Sequence, residues 1–246
     1  MHNLILDFGN TLYKGAIFDD SNLLFKFSGT KMQIQDLVDL KTNYPNIRKV
    51  ILSSVIEIPA ELLDFLHTNF DFQELTHQTP LPIINLYETP ETLGKDRLAA
   101  VVGAFQLFPN QNVLIVDAGS SITYDMITKE GHYLGGGISL GIEMRFKALH
   151  HFTKKLPLIV DTEAKTELIG KTTRDSILSG VLNGVCAEVD GIINQYKQKF
   201  PDLLVLITGG NLKHFDKNLK NNIFAAENLV LQGLNFILNY NDKKQA

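Results

Sequence analysis

The chain has 246 residues, a net charge of -4, 44% hydrophobic and 20% charged residues, and a single cysteine, Cys186. This is the composition of an ordered globular protein; it excludes an intramolecular disulfide and lacks the broad basic surface that nucleic-acid binding needs. No apolar run approaches membrane-spanning length and Asp7 follows the N-terminus too closely for a signal peptide, so a cytoplasmic location with no membrane or nucleic-acid partner is expected.

The first predicted strand, Leu4 to Leu6, ends in Asp7-Phe8-Gly9-Asn10-Thr11. Apolar-rich runs at Leu12 to Phe18 and Leu23 to Phe27 flank the turn Asp19 to Asn22 and predict a hairpin added to that strand. Met32, Ile34, Leu37, Val38 and Leu40 recur at helical spacing, and Val50-Ile51-Leu52 is a buried strand. Pro59 opens a helix carried by Leu62, Leu63, Leu66 and Phe70. Gln73 to Pro90 holds three prolines and no period, which predicts a long loop of the kind that carries function. A helix follows from Gly94 to Phe108.

The second half opens as the first does. Leu114-Ile115-Val116 leads into Asp117-Ala118-Gly119-Ser120, 110 positions after the first copy, and Ile122 to Ile127 and Tyr133 to Ile138 form a second hairpin. Beyond it come the glycine turn Gly135 to Gly141, a helix from Ile142 to His150, a polar loop or flap from Thr153 to Lys171, and a long helix from Thr173 to Phe200 with bends at its glycines. Leu203 to Ile207 is the last buried strand, ending in Thr208-Gly209-Gly210, and Leu229 to Tyr240 is the closing helix. The repeat predicts an α/β protein of two similar lobes, 1–111 and 112–246.

In each repeat a carboxylate at a strand tip can hold a metal or water, and a glycine after it lets an anion approach backbone amides. Asp, Gly, Asn and Ser also make ordinary turns, and one copy alone would mean no more than that. Two matched copies facing each other would form a cleft for a nucleoside triphosphate. Other phosphate motifs fail: Gly170-Lys171-Thr172 lacks the Walker glycine at position 165, which is Lys165, and Gly135 to Gly141 places its last glycine one position late for a dinucleotide fingerprint. Asp96 falls in the first turn of a helix, where free amides favour anions, so a capping role competes with a catalytic one. Arg97 beside it could grip a carboxylate in a fork while Asp96 accepts a hydroxyl proton. Cys186 in Gly-Val-Cys-Ala-Glu-Val is a core residue, His150 and His151 are helix-end groups, His67 and His77 lack ligand-spaced partners, and Glu143 and Arg145 face solvent or a subunit interface.

Four small-residue turns in a two-lobed chain resemble the actin-like ATPase superfamily, whose lobes share an RNase H-like fold and clasp ATP between them. The segment Tyr87 to Arg97, with Pro90 and Leu93-Gly94-Lys95-Asp96-Arg97, is similar to the signature of type III pantothenate kinases. Asp7 to Thr11 resembles that family's phosphate motif, Asp117 to Ser120 its second acidic turn, and Gly170 to Gly180 its Gly-x-x-Thr-x-x-Ser-Ile segment. The resemblance implies ATP-dependent phosphorylation of the primary hydroxyl of pantothenate at the start of coenzyme A synthesis. It implies Asp96 as catalytic base and Tyr87, Gly94, Lys95, Asp96, Arg97 and Thr173 as the pantothenate site. Asp7, Phe8, Gly9, Asn10, Thr11, Leu12, Tyr13, Lys14 and Ser120 would bind ATP, and Asp117 a monovalent cation, K+ or NH4+. Mg2+ follows from phosphoryl chemistry, and a homodimer from the family. Ser120 stands where many relatives have threonine and Leu140 where the glycine turn usually has proline. A nucleotide-binding regulatory protein without turnover, and a kinase or phosphatase with another acceptor, are the competing readings.

Overall fold

The computed structural model describes residues 1–160 and 166–245. Two units emerge, one of Met1–Asn110, Lys129–Leu134 and Asn228–Ala246, the other of Gln111–Thr128 and Gly135–Glu227.

In the first unit β1 (His2–Phe8) pairs antiparallel with β2 (Tyr13–Asp19), which pairs with β3 (Asn22–Gly29). After α1 (Ile34–Asn43), β4 (Ile47–Ser54) lies parallel to β1, and after α2 (Ala60–Asn69) the short β5 (Asp71–Glu74) completes the order β3-β2-β1-β4-β5. Both faces of the central strand are buried, which is why it reads as a continuous apolar run. Leu4, Leu6 and Phe8 pack with Leu37, Leu62 and Leu66, and Ile5 packs on the other face with Ile51, Ala99 and Val102. The long loop holds one short strand, β6 (Ile84–Asn85), hydrogen-bonded to His132 and Tyr133; α3 (Lys95–Leu107) follows.

In the second unit β7 (Asn112–Ala118), β8 (Ser121–Ile127) and β9 (His132–Leu140) make the repeated meander, followed by α4 (Ile142–His151). Then come α5 (Thr173–Leu178), a π-helical turn Ser179–Asn183, α6 (Gly184–Lys199), β10 (Leu203–Thr208), α7 (Leu212–Asn218) and β11 (Phe224–Ala225). The order β9-β8-β7-β10-β11 repeats the first sheet strand for strand, with β7 and β10 parallel as β1 and β4 are. The loop expected at Thr153 to Lys171 falls partly on 161–165, outside the described residues.

Two expectations need correction. The run Thr173–Lys199 does reach membrane-spanning length, 27 residues with a mean hydropathy of 1.4, but 56% of its apolar window is buried. Ile177, Leu178, Val181, Val185, Val189 and Ile193 fill the core of the second unit, which accounts for their apolar character. The π turn, at Gly180 and next to Gly184, is the predicted irregularity. The closing helix, α8 (Leu229–Gln245), belongs with the first unit, so 112–246 is not one lobe. Leu231, Leu234, Ile237 and Leu238 carry it into the core around Ile5 and Ile51.

α8 meets α3 backbone to backbone. A Cβ at Gly233 would lie 1.9 Å from the Ala99 carbonyl oxygen, and one at Gly103 would lie 2.6 Å from that of Leu229. A buried amide network fixes the helix register: Asn3 donates to Asn235 and Asn239 Oδ1, both at 2.8 Å, and Asn235 donates to the Asp20 carbonyl at 2.6 Å. Because the colliding atom is backbone, Gly233→Ala is expected to destabilise the protein by about 3 kcal/mol, the upper end for overpacking. Urea denaturation measures this, and an unchanged midpoint would show that the helices separate freely.

Candidate active site

The β1–β2 turn is a tight loop in which Gly9 N–H donates to the Leu12 carbonyl at 3.1 Å. A Cβ at Gly9 would crowd that same oxygen at 3.2 Å. Asp7 ends β1 largely buried, 8% exposed, in register with Lys14 on β2 and Ser53 on β4. Strand alternation puts these three side chains on the sheet face of Ile5, Ala16 and Ile51, which α3 covers. Asn10, Thr11, Leu12 and Lys14 are exposed. Phe8 points into the core and packs on the Tyr13 ring at 5.7 Å, so of the predicted ATP residues Phe8 offers a ligand its backbone only. Burial, with Asp36 nearby, raises the Tyr13 phenol above its ordinary pKa.

The predicted acceptor residues of the first unit come together at the start of α3. Gly94 is the N-cap and Lys95, Asp96 and Arg97 form the first turn. Asp96 Oδ1 accepts the Arg97 N–H at 2.8 Å, so the helix-end role foreseen for this carboxylate is present. Arg97, 6% exposed, sets its guanidinium 5.7 Å from the Tyr87 ring centroid, and Tyr87 stacks on Tyr133 at 6.2 Å with the planes 7° apart. The loop carrying Tyr87 is held by Leu86 N–H to the Tyr133 carbonyl at 3.0 Å and Tyr87 N–H to Asn85 Oδ1 at 3.0 Å. A 3-10 turn, Pro90–Thr92, leads into α3. Lys95 pairs with Glu74 at 3.2 Å, beside a cavity of about 320 Å³ lined by His77, Glu91 and Leu93. The cation–π contact and the stacked rings seat the Arg97 guanidinium against Tyr87, one residue along the helix from Asp96.

In the second unit Asp117, half-buried, ends β7. Gly119 N–H donates to the Ser121 carbonyl at 3.1 Å, Gly141 N–H to Ser120 at 3.2 Å and Asn211 N–H to Ala118 at 2.9 Å. Gly209 adopts φ +96°, and a Cβ there would sit 2.4 Å from Asp117 Oδ1. Only glycine leaves that carboxylate its space. Thr173 is exposed in the first turn of α5, whose N-cap is Thr172; its hydroxyl accepts the Asp175 N–H at 3.1 Å. A cavity of about 1230 Å³ lies between α6 and the β10–α7 turn, lined by Cys186, Asp190, Gly210, Asn211, Lys213 and His214.

Sequence reasoning missed Ser53 and the role of Arg145. The Ser53-Ser54 pair after a buried strand was the available signal for Ser53. Arg145 is not a solvent-facing cation: its side chain is 19% exposed and pairs with Glu188 at 2.7 Å within the unit. His150 Nδ1 lies 2.7 Å from the Leu156 carbonyl oxygen at the end of α4, as a helix-end group. Among the described residues no cluster of three or more His, Cys, Asp or Glu could hold a metal.

Residues 3–195 match the family model described as type III pantothenate kinase. A type III pantothenate kinase of Christiangramia forsetii is 46% identical over 240 residues, covering 97% of this chain and 98% of the relative. One from Phocaeicola vulgatus is 46% identical over 242 residues, covering 98% and 99%. Among solved structures, a conserved Campylobacter jejuni protein assigned to a Baf family of transcriptional activators superposes with a TM-score of 0.60 at 22% identity, covering 98% of this chain and 99% of that one. A ROK family glucokinase from Streptomyces griseus, in complex with glucose and AMPPNP, gives 0.55 at 11% identity, covering 98% and 100%. The structural likenesses show a shared α/β fold, and together with the family match they place the chain in the bilobed architecture of actin-like ATPases and sugar kinases.

Cys186 offers a check on the second unit. Its Sγ lies 3.5 Å from His214 Nε2, and burial, with Asp190 nearby, pushes the thiol from 9.0 to about 11, while burial lowers His214. The folded state holds this proton more tightly than the unfolded chain, so the stability it contributes is complete below pH 9 and lost as pH rises towards 11. At pH 8 iodoacetamide should label the folded protein on the order of 100-fold more slowly than the unfolded chain, following the thiolate fraction. Equal rates would place the thiol in open solvent.

Proposed function

Because the chain belongs to the type III pantothenate kinase family, we propose that the turn at Tyr87 and Gly94 to Arg97 binds pantothenate, with Asp96 as its catalytic base. The activity itself is ATP-dependent phosphorylation of the primary hydroxyl of pantothenate to 4'-phosphopantothenate, the first step of coenzyme A synthesis. The protein is a phosphotransferase with an alcohol acceptor.

The observation that carries the site is the buried Arg97 guanidinium, set against Tyr87 and adjacent in the helix to the Asp96 carboxylate. Pantothenate carries a carboxylate and a primary hydroxyl, and this turn supplies a fork for the first and a proton acceptor for the second. With Oδ1 held by the Arg97 amide, Asp96 Oδ2 takes the hydroxyl proton as the oxygen bonds to the γ-phosphorus and the bond from that phosphorus to the β–γ bridging oxygen breaks, releasing ADP. Phosphoryl transfer asks chiefly for positioning and charge stabilisation, which a rigid helix start provides. Thr173 and Lys95 complete the proposed acceptor set.

The turn from Asp7 to Lys14 is the proposed phosphate site, with Ser120 a further ATP contact. Asp7 would hold Mg2+, which would supply neutralisation of charge on the transferring phosphoryl group; a single carboxylate in its row suits a cation that arrives with phosphate oxygens and water. Asp117, in the space that Gly209 leaves and close to backbone carbonyls, offers the oxygen donors that K+ or NH4+ takes. The cavity beside Gly210 and Asn211 is the proposed place of the adenosine moiety. Ile138, Phe152, Leu168 and Ile169 are each at least 67% exposed on the second unit, which supports a homodimer, and the free thiol at Cys186 suits the cytoplasm.

A coupled assay of ADP release should show ATP consumption that requires pantothenate. Asp96→Asn is expected to fold and to lose roughly 10²-fold or more in kcat, the scale of a general base. Unchanged turnover would remove Asp96 from the chemistry, and tight ATP binding without any turnover in the unaltered protein would favour a regulatory role.

A further inference from the structure

The end of β9 runs directly against the Asp117 turn. Gly141 N–H donates to the Ser120 carbonyl, and a Cβ at Gly141 would lie 2.1 Å from that oxygen and 2.6 Å from the Gly119 oxygen, so the two backbones touch with nothing between them. Leu140, just before, has no ring to fix its φ and its side chain is 44% exposed, so beyond the pairing of β9 with β8 this end of the strand draws little from ring stiffness or burial. Arg145 holds it. From the first turn of α4 its Nε donates to the Leu140 carbonyl at 2.8 Å, and its Nη2 donates to Ser139 Oγ at 3.1 Å and to Glu188 Oε2 at 2.7 Å. Glu188, on α6, also accepts the Tyr124 hydroxyl at 3.3 Å, so one guanidinium ties the end of β9 to α6 and, through Tyr124, to β8.

We propose that Arg145 is a positioning residue for the nucleotide and monovalent-cation turn: its fork fixes Leu140 and Gly141, and through their backbone contact it fixes Gly119, Ser120 and the Asp117 carboxylate. The charges agree with this role. Burial alone would raise the Glu188 carboxyl, yet the bonds from Arg145, Ser139 and Tyr124 outweigh it and bring it below the usual carboxylate range, while burial and Glu188 push the Tyr124 phenol up. The guanidinium is therefore committed to the brace through Nε and Nη2. The inference rests on reading Asp117 and Ser120 as ligands of cation and ATP.

Initial rates of the full-length enzyme, with ATP, pantothenate and KCl varied in turn, test it in Arg145→Gln, Ser139→Ala and Asp117→Asn. Arg145→Gln is expected to raise both the KM for ATP and the half-saturating K+ about tenfold, the effect of one lost charge-assisted bond. Its KM for pantothenate should stay within about twofold, since the acceptor turn shares no partner with Arg145. Ser139→Ala removes one bond, keeps the ion pair and should shift the same two constants in the same direction by less, which covers the case in which Arg145→Gln does not fold. Constants that all move together, or none moving in a folded variant, would overturn the proposal. Asp117→Asn separates the two levels: if it leaves the K+ response intact, the reading of that turn fails, whereas its loss alongside an unmoved Arg145→Gln sinks the positioning role alone.

Discussion

The close approach of α3 and α8 is the constraint on which the first unit depends. Helices usually pack 8–10 Å apart because side chains separate them, and two glycines at the crossing remove that spacer. Gly103 and Gly233 let each backbone reach the other's carbonyls, and the Asn3, Asn235 and Asn239 amides admit one register of α8 on β1. What the crossing fixes is the N-terminal end of α3, where Asp96 and Arg97 sit. An unpaired buried amide is costly, so a slip of α8 by one turn would break three side-chain bonds along with the apolar contacts.

The same succession of strands builds both units, and it explains why the two acidic turns have the same chemistry. In each, the aspartate ends the central strand, lies next to a parallel strand that arrives after a helical excursion, and is followed by a glycine turn into the hairpin. The second members of the parallel pairs differ: Ser53 opposes Asp7, while Thr208, leading to Gly209, opposes Asp117. The repeat thus places a hydroxyl beside each carboxylate, and the units diverge in the turn beyond it. Gly209, at positive φ, opens space against Asp117 that the β4 end does not open against Asp7.

The sequence made legible what is local and strongly patterned. The central strands, the two meanders, α2, α3 and α4 follow from apolar period and turn residues, and the gathering of Tyr87 with Gly94 to Arg97 follows from a motif only 11 residues long. What it hid is non-local. β6 and β11 are two residues each and exist only through pairing with strands far along the chain, so no intrinsic pattern marks them. The short α7, seven residues long, is too brief for its apolar residues to show a period. The return of α8 to the first unit depends on Gly103, Gly233 and Asn3, whose meaning appears only when they meet. Arg145 looked like a surface cation because its partners, Ser139, Leu140 and Glu188, lie on two other elements.

A protein with a net charge of -4 that handles two anionic substrates gains nothing from its overall field. Favourable potential has to be made locally. The Gly9, Gly119 and Arg97 N–H groups donate within their own turns, to the Leu12 and Ser121 carbonyls and to Asp96 Oδ1, which keeps the backbone of each turn in one shape. The cations nearby are mostly committed: Lys95 to Glu74, Arg145 to Glu188, and Arg97 to the Tyr87 face. Paired cations of this kind set geometry, and a fixed geometry is what phosphoryl transfer rewards.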